Sequence, residues 1–445
     1  MKAAIAVFFI FVCILCTCSV YAYAGRLEAV SEDDAQSQPR IWALLAAGSN
    51  GYEYYRHQAD ICHAYQVLHR HGVPDERIVV MMYDDIAYNS MNPTPGVLVN
   101  HPNGSNVYEG VPKDYTGSNI TSNNFLKVLK GDKEGMHGIG SGKVIDSKPE
   151  DHIFVFVSDL GGIGCIQFID DLLYSSDLAD ALKEMHAKKR FAKLVFYLEA
   201  SNSGSMFSED LPDNINVFAT TAASPSGDSY VCYWDAFRKT YLGDLYSVSW
   251  MENSDVENLA SETLQAQYQI VKQETNTSTV HEYGDLSIGK MTVSKFQGYT
   301  EAEPLQLPRV PRDVVNSRQV PVAILERKIQ TAPDSVTRVK LQGELERLLS
   351  RRKFLETTMT KIVEHLKHDK NVFEKTVPSN QDRECYRQNV DHFDKVCFRL
   401  SRNPYALGFM HVFVNMCAST RPNKTSEILA TLDTVCVFPK TEDIV

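Results

Sequence analysis

Five short apolar runs, each separated from the next by a polar or amphipathic stretch, organise the first two thirds of the chain. They read IWALLAAG (41–48), RIVVMMY (77–83), HIFVFV (152–157), KLVFYLEA (193–200) and NVFATTAA (216–223). Runs of this length, rich in β-branched and aromatic residues, are strand-sized, and the middle three are apolar almost without interruption. A strand that is apolar at nearly every position has to be covered on both faces, as in a parallel sheet flanked by helices. Helical patterns lie between the runs. Ala59–Gly72 carries Ala, Tyr, Val and Leu at helical spacing and stops at Gly72 with Pro74 beyond. Asp177–Lys189 sets Leu178, Leu182 and Met185 on one face. The alternation predicts an α/β fold with a mostly parallel sheet and ligands at the carboxyl ends of its strands.

The pattern stops near Gly298. Residues 299–322 hold four prolines and little periodicity, and read as an exposed linker. Beyond them Val336–Leu349 and Arg352–Lys367 are helical in pattern and precede Cys385, Cys397, Cys417 and Cys436. The expected organisation is a core domain over 41–298, a linker over 299–335 and a separate, disulfide-stapled helical domain over 336–445. A length of 445 residues accommodates this at roughly 150 residues per domain. With 45 Lys+Arg against 56 Asp+Glu the net charge is −11, which argues against nucleic acid as a partner. An apolar fraction of 43% with 24 Gly and 18 Pro excludes collagen and low-complexity disorder.

Residues 1–24 carry Lys2, a long apolar run and the triplet Ala22-Tyr23-Ala24, the build of a secretory signal peptide cut before Gly25; residues 25–40 then read as a short propeptide-like segment. No later stretch is apolar enough to span a bilayer, so a soluble product without a membrane partner is expected. Cleavage removes Cys13, Cys16 and Cys18. Of the seven that remain, the four late ones suit two disulfides in an oxidising compartment, with three possible connectivities, while Cys62, Cys165 and Cys232 lie singly. Sequons at Asn103, Asn119, Asn276 and Asn423 fit a glycosylated product, secreted or endolysosomal.

Two strand ends are candidate sites: Ser158-Asp159-Leu160-Gly161-Gly162 and Glu199-Ala200-Ser201-Asn202-Ser203-Gly204-Ser205. A small hydroxyl residue just past a buried strand is where a reactive group would sit, although Ser and Gly equally serve tight turns. The stretches AAGSNGYEYYRHQADICHAYQVLHRHG, VMMYDDIAYNSMNPTPG, EGVPKDYTG, FATTAASP and YLGDLYSVSWMENSD closely resemble the legumain family, the asparaginyl endopeptidases among the caspase-like cysteine peptidases. The resemblance runs from Trp42 through Gly298 and, more weakly, on to the C-terminus. It implies a caspase-like α/β fold, a helical C-terminal prodomain over the active site, and cleavage after Asn in acidic compartments, without a cofactor.

Carried over position by position, the resemblance places substitutions at all three catalytic positions. The family's His stands in Asp-His-Gly, read here as Asp159-Leu160-Gly161. Its nucleophilic Cys stands in Glu-Ala-Cys-Glu-Ser-Gly-Ser, where this chain has Ser201. Its supporting Asn corresponds to Tyr54. A thiolate beside an imidazolium is a strong nucleophile near neutral pH, whereas a serine hydroxyl needs a general base that Leu160 cannot be. Loss of nucleophile and base costs on the order of a million-fold in a serine protease.

The family's Asn-reading set maps to Arg56, Glu199 and Asp244, with His57, Asp159 and Ser229 alongside. Asp228 stands where the family has Ser and adds negative charge beside the pocket. An Asn side chain offers one acceptor and one donor group, which such a mixed-charge set can pair. The alternative for these residues is an ion-pair network that only holds structure. His57, Cys62, His63, His69 and His71 are dense, but helical spacing puts them on different faces, and no metal site is assigned. Lys130-Gly131-Asp132 falls where some relatives have Arg-Gly-Asp. The family's processing Asn is absent from Lys328-Ile329-Gln330-Thr331, leaving Asn316 as a substitute. The resemblance also implies pairing of Cys385 with Cys417 and Cys397 with Cys436, each bridge contributing about 3–4 kcal/mol. Three functional readings are open. The first is a pseudoenzyme that binds Asn-containing peptides, cystatin-type inhibitors or active legumains. The second is an asparaginyl peptidase or ligase using Ser201, and the third a purely structural or antigenic secreted protein.

Overall fold

The computed structural model describes residues 38–305, 308–375, 382–418, 424–438 and 444. The leader pattern over 1–24, residues 25–37 and the sequon at Asn423 lie outside the described residues. Two compact units divide the chain, Met1–Arg40 and Ile41–Val445, and the second holds the sheet, the helices and the candidate site.

Its elements run β1 (Ile41–Ala46), helix α1 (Tyr55–Arg70), β2 (Ile78–Met81), α2 (Ser122–Lys130), β3 (His152–Ser158), the short strands β4 (Gly161–Gly162), β5 (Cys165–Gln167) and β6 (Leu172–Tyr174), α3 (Ser175–Ala187), β7 (Lys193–Glu199) and β8 (Val217–Thr221). Next come the hairpin β9 (Tyr230–Asp235) and β10 (Thr240–Asp244), α4 (Leu245–Val256), α5 (Leu264–Glu274) and β11 (His281–Gly284). After the proline-rich stretch come β12 (Val315–Asn316), α6 (Val320–Gln330), α7 (Ser335–His365), α8 (Arg383–Val396), α9 (Met410–Cys417) and α10 (Lys424–Val435).

All five apolar runs form strands of one six-stranded sheet ordered β11-β8-β7-β3-β1-β2, parallel except for β11 on β8. Their continuous apolarity is used on both faces. Ala43, Leu45, Phe154, Phe156, Val195 and Tyr197 point into a core shared with α1 and α4, where Trp250 is buried. The alternate residues Leu44, Ile153, Val155, Leu194 and Phe196 point into a second core with α2 and α3. Each fully buried large side chain contributes roughly 2 kcal/mol, so the two-sided sheet is the stable frame of the unit.

The helical region has a third core, joined by Ile163, Cys165 and Tyr174 from the β4–β6 region. Disulfides join Cys385 to Cys417 and Cys397 to Cys436; Cys62, Cys165 and Cys232 are free and buried. The two expected helices over 336–367 are instead one, α7, because nothing at positions 350–351 breaks the backbone ladder. The expectation of an exposed linker over 299–322 is corrected within it: β12 pairs with β9, and Ser317 and Val320 are buried.

Candidate active site

The register Ser158↔Glu199 sets the carboxyl ends of β3 and β7 side by side, so that Asp159-Leu160-Gly161 lies against Ala200-Ser201-Asn202. A Cβ on Gly161 would lie 2.5 Å from the carbonyl oxygen of Ser201, so only glycine lets the two loops meet. Asn202 holds the left-handed conformation at φ 59°, which asparagine tolerates better than most residues. Ser201 is buried. Its Oγ lies 2.8 Å from Ser317 Oγ and accepts from the backbone N–H of Ser229 at 3.1 Å. Among the described residues, no imidazole or carboxylate hydrogen-bonds that hydroxyl.

The neighbouring residues do not supply a base. Leu160 is half-buried and packs against the core of the helical region. His57 Nδ1 lies 2.6 Å from Ser49 Oγ, and Nε2 lies 3.7 Å from Asp244 Oδ2. Burial, and then the Arg56 charge, hold the His57 pKa well below its ordinary value, so the ring is neutral. Tyr54 stacks on it at 5.8 Å and 12°, with the Arg56 guanidinium 5.6 Å from the Tyr54 ring centre.

At the same end of the sheet, a buried charged cluster is built from three elements. Arg56, in the first turn of α1, donates from Nε to Asp244 Oδ1 at 2.9 Å and from Nη1 to the Glu53 carbonyl at 3.2 Å. Glu199, ending β7, places Oε2 at the N-terminus of α4, accepting from Ser247 N at 3.2 Å and Ser247 Oγ at 3.1 Å. An anion is favoured there by the unsatisfied N–H groups and the helix dipole. Arg56 Nη2, Glu199 Oε1 and Asp244 Oδ2 are buried with no hydrogen-bond partner among the described residues. One donor and two acceptors are therefore unsatisfied in one charged cluster, an arrangement that is expensive to leave unpaired. Asp159 is buried beside them, accepting from Leu160 N at 2.7 Å and from Gly48 N.

Asp60 also belongs to this cluster and is not evident from sequence. It is fully buried, accepting from Ser158 Oγ at 2.9 Å and Asn100 Nδ2 at 2.8 Å. Burial raises the carboxyls of Asp60, Asp159, Glu199 and Asp244, and the Asp244 charge pushes Asp60 and Glu199 further; Arg56 opposes the rise at Asp244 without cancelling it.

The linker crosses this site. Val315 pairs with Val231 and Asn316 with Tyr230, and Ser317 N donates to the Ser229 carbonyl at 3.0 Å. Arg318 then reaches over the two loops, donating from Nε to Asp228 Oδ1 at 2.9 Å and from Nη2 to Gly161 O at 2.9 Å and Asn202 Oδ1 at 2.8 Å. Asn316 Nδ2 and Lys375 Nζ both lie 3.2 Å from Asp228 Oδ2. Burial alone would raise Asp228, but Arg318 and Lys375 outweigh it and its pKa falls. The extra negative charge expected beside the pocket is thus spent on the linker. From α7, Arg352 donates to Arg318 O at 2.8 Å and Gln319 Oε1 at 3.0 Å. The sequence pattern does not single out Ser317, Arg318 and Arg352, because nothing in a proline-rich stretch signals which residue turns inward.

The other candidates make contacts of their own, His63 reaching the Asp60 cluster only through Asn100. His63 bonds Asn100 and Asp255, His69 bonds Asp75, and His71 faces the Thr300 carbonyl. Lys130 pairs with Glu184 at the end of α2, where Gly131 at φ 75° is the helix cap. Asn103 and Asn276 are exposed and Asn119 is half-buried.

Residues 41–299 match the model of the Peptidase C13 family, and residues 343–436 match that of the legumain prodomain. The chain belongs to the peptidase C13, or legumain, family. It is 46% identical to the legumain of Homo sapiens over 92% of this chain and 96% of that one. It is 42% identical to the hemoglobinase of Schistosoma mansoni, covering 87% and 90% of the two chains. Against a vacuolar-processing enzyme beta-isozyme of Oryza sativa the identity is 40%, over 84% and 80%. A solved caspase-1 of Spodoptera frugiperda matches 56% of this chain and 87% of its own, at 12% identity and a TM-score of 0.33. The chain joins a mostly parallel six-stranded α/β sheet to a disulfide-bonded helical prodomain, a legumain-family hydrolase in architecture.

Proposed function

We propose that this legumain-family chain is a pseudoenzyme that binds Asn-containing peptides without cleaving them. The observation that carries the reading is the hydrogen bonding of Ser201, whose hydroxyl meets a second hydroxyl and a backbone N–H but, among the described residues, no base. Leu160 and Ser201 occupy the family's His and Cys positions and Tyr54 its Asn position. A hydroxyl without a base is not a nucleophile near neutral pH. The Arg56, Glu199 and Asp244 pocket, in contrast, retains the donor and acceptors that an Asn amide needs. Asn-bearing peptides or proteins, cystatin-type inhibitors and active legumains are the partners this chemistry admits. The leader pattern, the sequons and the two disulfides favour the secretory pathway, with a secreted or endolysosomal destination.

The test has two arms. An Asn-containing fluorogenic peptide incubated with the full chain at acidic pH shows no turnover; turnover abolished by Ser201→Ala would establish a serine peptidase instead. The same peptide is then titrated against the Arg318→Ala chain, in which the linker is loosened, with and without Arg56→Ala. Binding that Arg56→Ala weakens at least about tenfold supports a working pocket, and equal, negligible binding in both removes it.

A further inference from the structure

Away from Ser201, between the β9–β10 hairpin and the α6–α7 junction, lies a groove of about 570 Å³. That is within the range of ligand sites, roughly 300–1,000 Å³. Its apolar walls are open to solvent: Phe237 at the hairpin tip is 64% exposed and Met91 54%. Pro333 and Leu341 complete that lining from the other side. Clustered exposure of large apolar side chains marks an interaction surface more often than a single such residue does.

The charges in the groove are of one sign. Arg238, Lys239 and Lys328 line it and, among the described residues, no carboxylate does, in a chain whose net charge is −11. Arg238 is engaged by Asp235 at 3.1 Å. Lys239 and Lys328 have no ion-pair partner among the described residues. Burial, and then the like charge of Lys239, lower the Lys328 pKa, while Glu344 and Glu53 act on it only at a distance. The adjacent Asp334 is engaged in capping α7, accepting from Thr337 N and Oγ1 at 2.8 Å. Two unpaired ammonium groups facing one apolar groove are what an anion flanked by apolar groups would complement.

We propose that this groove docks a linear segment of a partner protein in which an apolar side chain is flanked by carboxylates. The apolar group rests on Phe237 and Met91, and the carboxylates reach Lys239 and Lys328. Because the groove joins the α/β part to the α6–α7 junction, such a segment would bridge the two. The site requires neither the Arg56 pocket nor any chemistry at Ser201.

The probe is a fluorescein-labelled peptide with a Phe-Leu centre and acidic residues on both flanks, containing no Asn, followed by fluorescence anisotropy on the full chain. Wild type binds it, with affinity falling as salt is raised, and an analogue with Ser and Gln in place of the acids binds at least about tenfold more weakly. Lys239→Glu with Lys328→Glu and, separately, Phe237→Ser each weaken binding by a similar factor, while Lys239→Arg with Lys328→Arg retains it. Thermal melts accompany the titrations, because Lys328 is half-buried, and the Lys239→Glu single variant repeats the charge test at the more exposed of the two positions. Equal affinity for the neutral analogue, undiminished binding by the charge-reversed variant, or no binding by wild type overturns the proposal. A dimer on sedimentation that Phe237→Ser dissolves overturns it too, because the groove would then be covered by a second copy of this chain.

Discussion

Glu199 is held at a helix N-terminus and yet buried with one oxygen unpaired, so ionising it in the folded chain is costly. Burial, and next the Asp244 charge, raise its pKa above the ordinary value near 4.5. A raised folded pKa means that the protonated form is favoured by folding. The stability this contributes is fully present below the unfolded pKa and is lost as pH rises through the folded one. Glu199→Gln removes that titration. Its expected signature is a melting temperature raised more at pH near 7 than at pH near 4, so that the difference between the two changes from wild type, as thermal melts across that range would measure. A gap that stays unchanged would mean that Asp60 and Asp244 carry the dependence instead. Asp228 and Asp255 titrate in the opposite sense, their lowered values giving stability that is lost on acidification. At this scale the sequence is informative about Leu160, Ser201 and Arg56, because they stand in contiguous motifs. It is silent about Asp60, which reads as one more polar position on a helix. Asp60 becomes part of the site only when β10 delivers Asp244, distant in sequence, beside it.

Among the elements, β12 makes the difference between a linker and a plug. It forms because Val314-Val315-Asn316-Ser317 is a proline-free stretch between prolines, and β9 offers an edge for its backbone. Arg318 then fixes it with three hydrogen bonds, one to Asp228 and one to each of the Gly161 and Asn202 loops. Removing a half-buried charged partner of this kind costs about 1–3 kcal/mol. Arg318→Ala is therefore expected to speed amide hydrogen exchange at residues 315–319 by at least about tenfold, leaving α7 protected. Equal protection in the variant would show that the backbone pairing and Arg352 suffice to hold the strand. The five strand runs are legible from sequence because a two-sided parallel strand has to be apolar throughout. The β9–β10 hairpin is not, because its mixed residues YVCYWD and TYLGD show neither continuous apolarity nor clean alternation. The inward turn of the linker is equally hidden, since prolines advertise exposure and Ser317 carries no signal of its own.

At the scale of the whole molecule, the helical region and the α/β part share more than a border. Tyr174 donates to Asp391 at 2.6 Å, Arg387 pairs with Asp177 at 2.5 Å, and Ile163 and Cys165 are inside the helical core. Leu160, half-buried next to the Ser201 loop, adds apolar contact to that core. A region held this way should unfold with its neighbour, and the placement of tryptophan allows a direct check. All three tryptophans, Trp42, Trp234 and Trp250, lie in the α/β part, whereas the disulfides lie in the helical one. Replacing Cys385 and Cys417 by Ser opens a bridge closing a separation of 32 residues, a loss of about 3–4 kcal/mol on the chain-entropy account. If the parts are coupled, tryptophan fluorescence and far-UV circular dichroism report melting midpoints that fall together by several degrees. If the helical region melts alone, the dichroism midpoint falls and the fluorescence midpoint stays where it was. The contacts of Tyr174, Arg387 and Leu160 favour the first outcome, and with it a prodomain held in place by packing as well as by the Arg352 contacts to the linker.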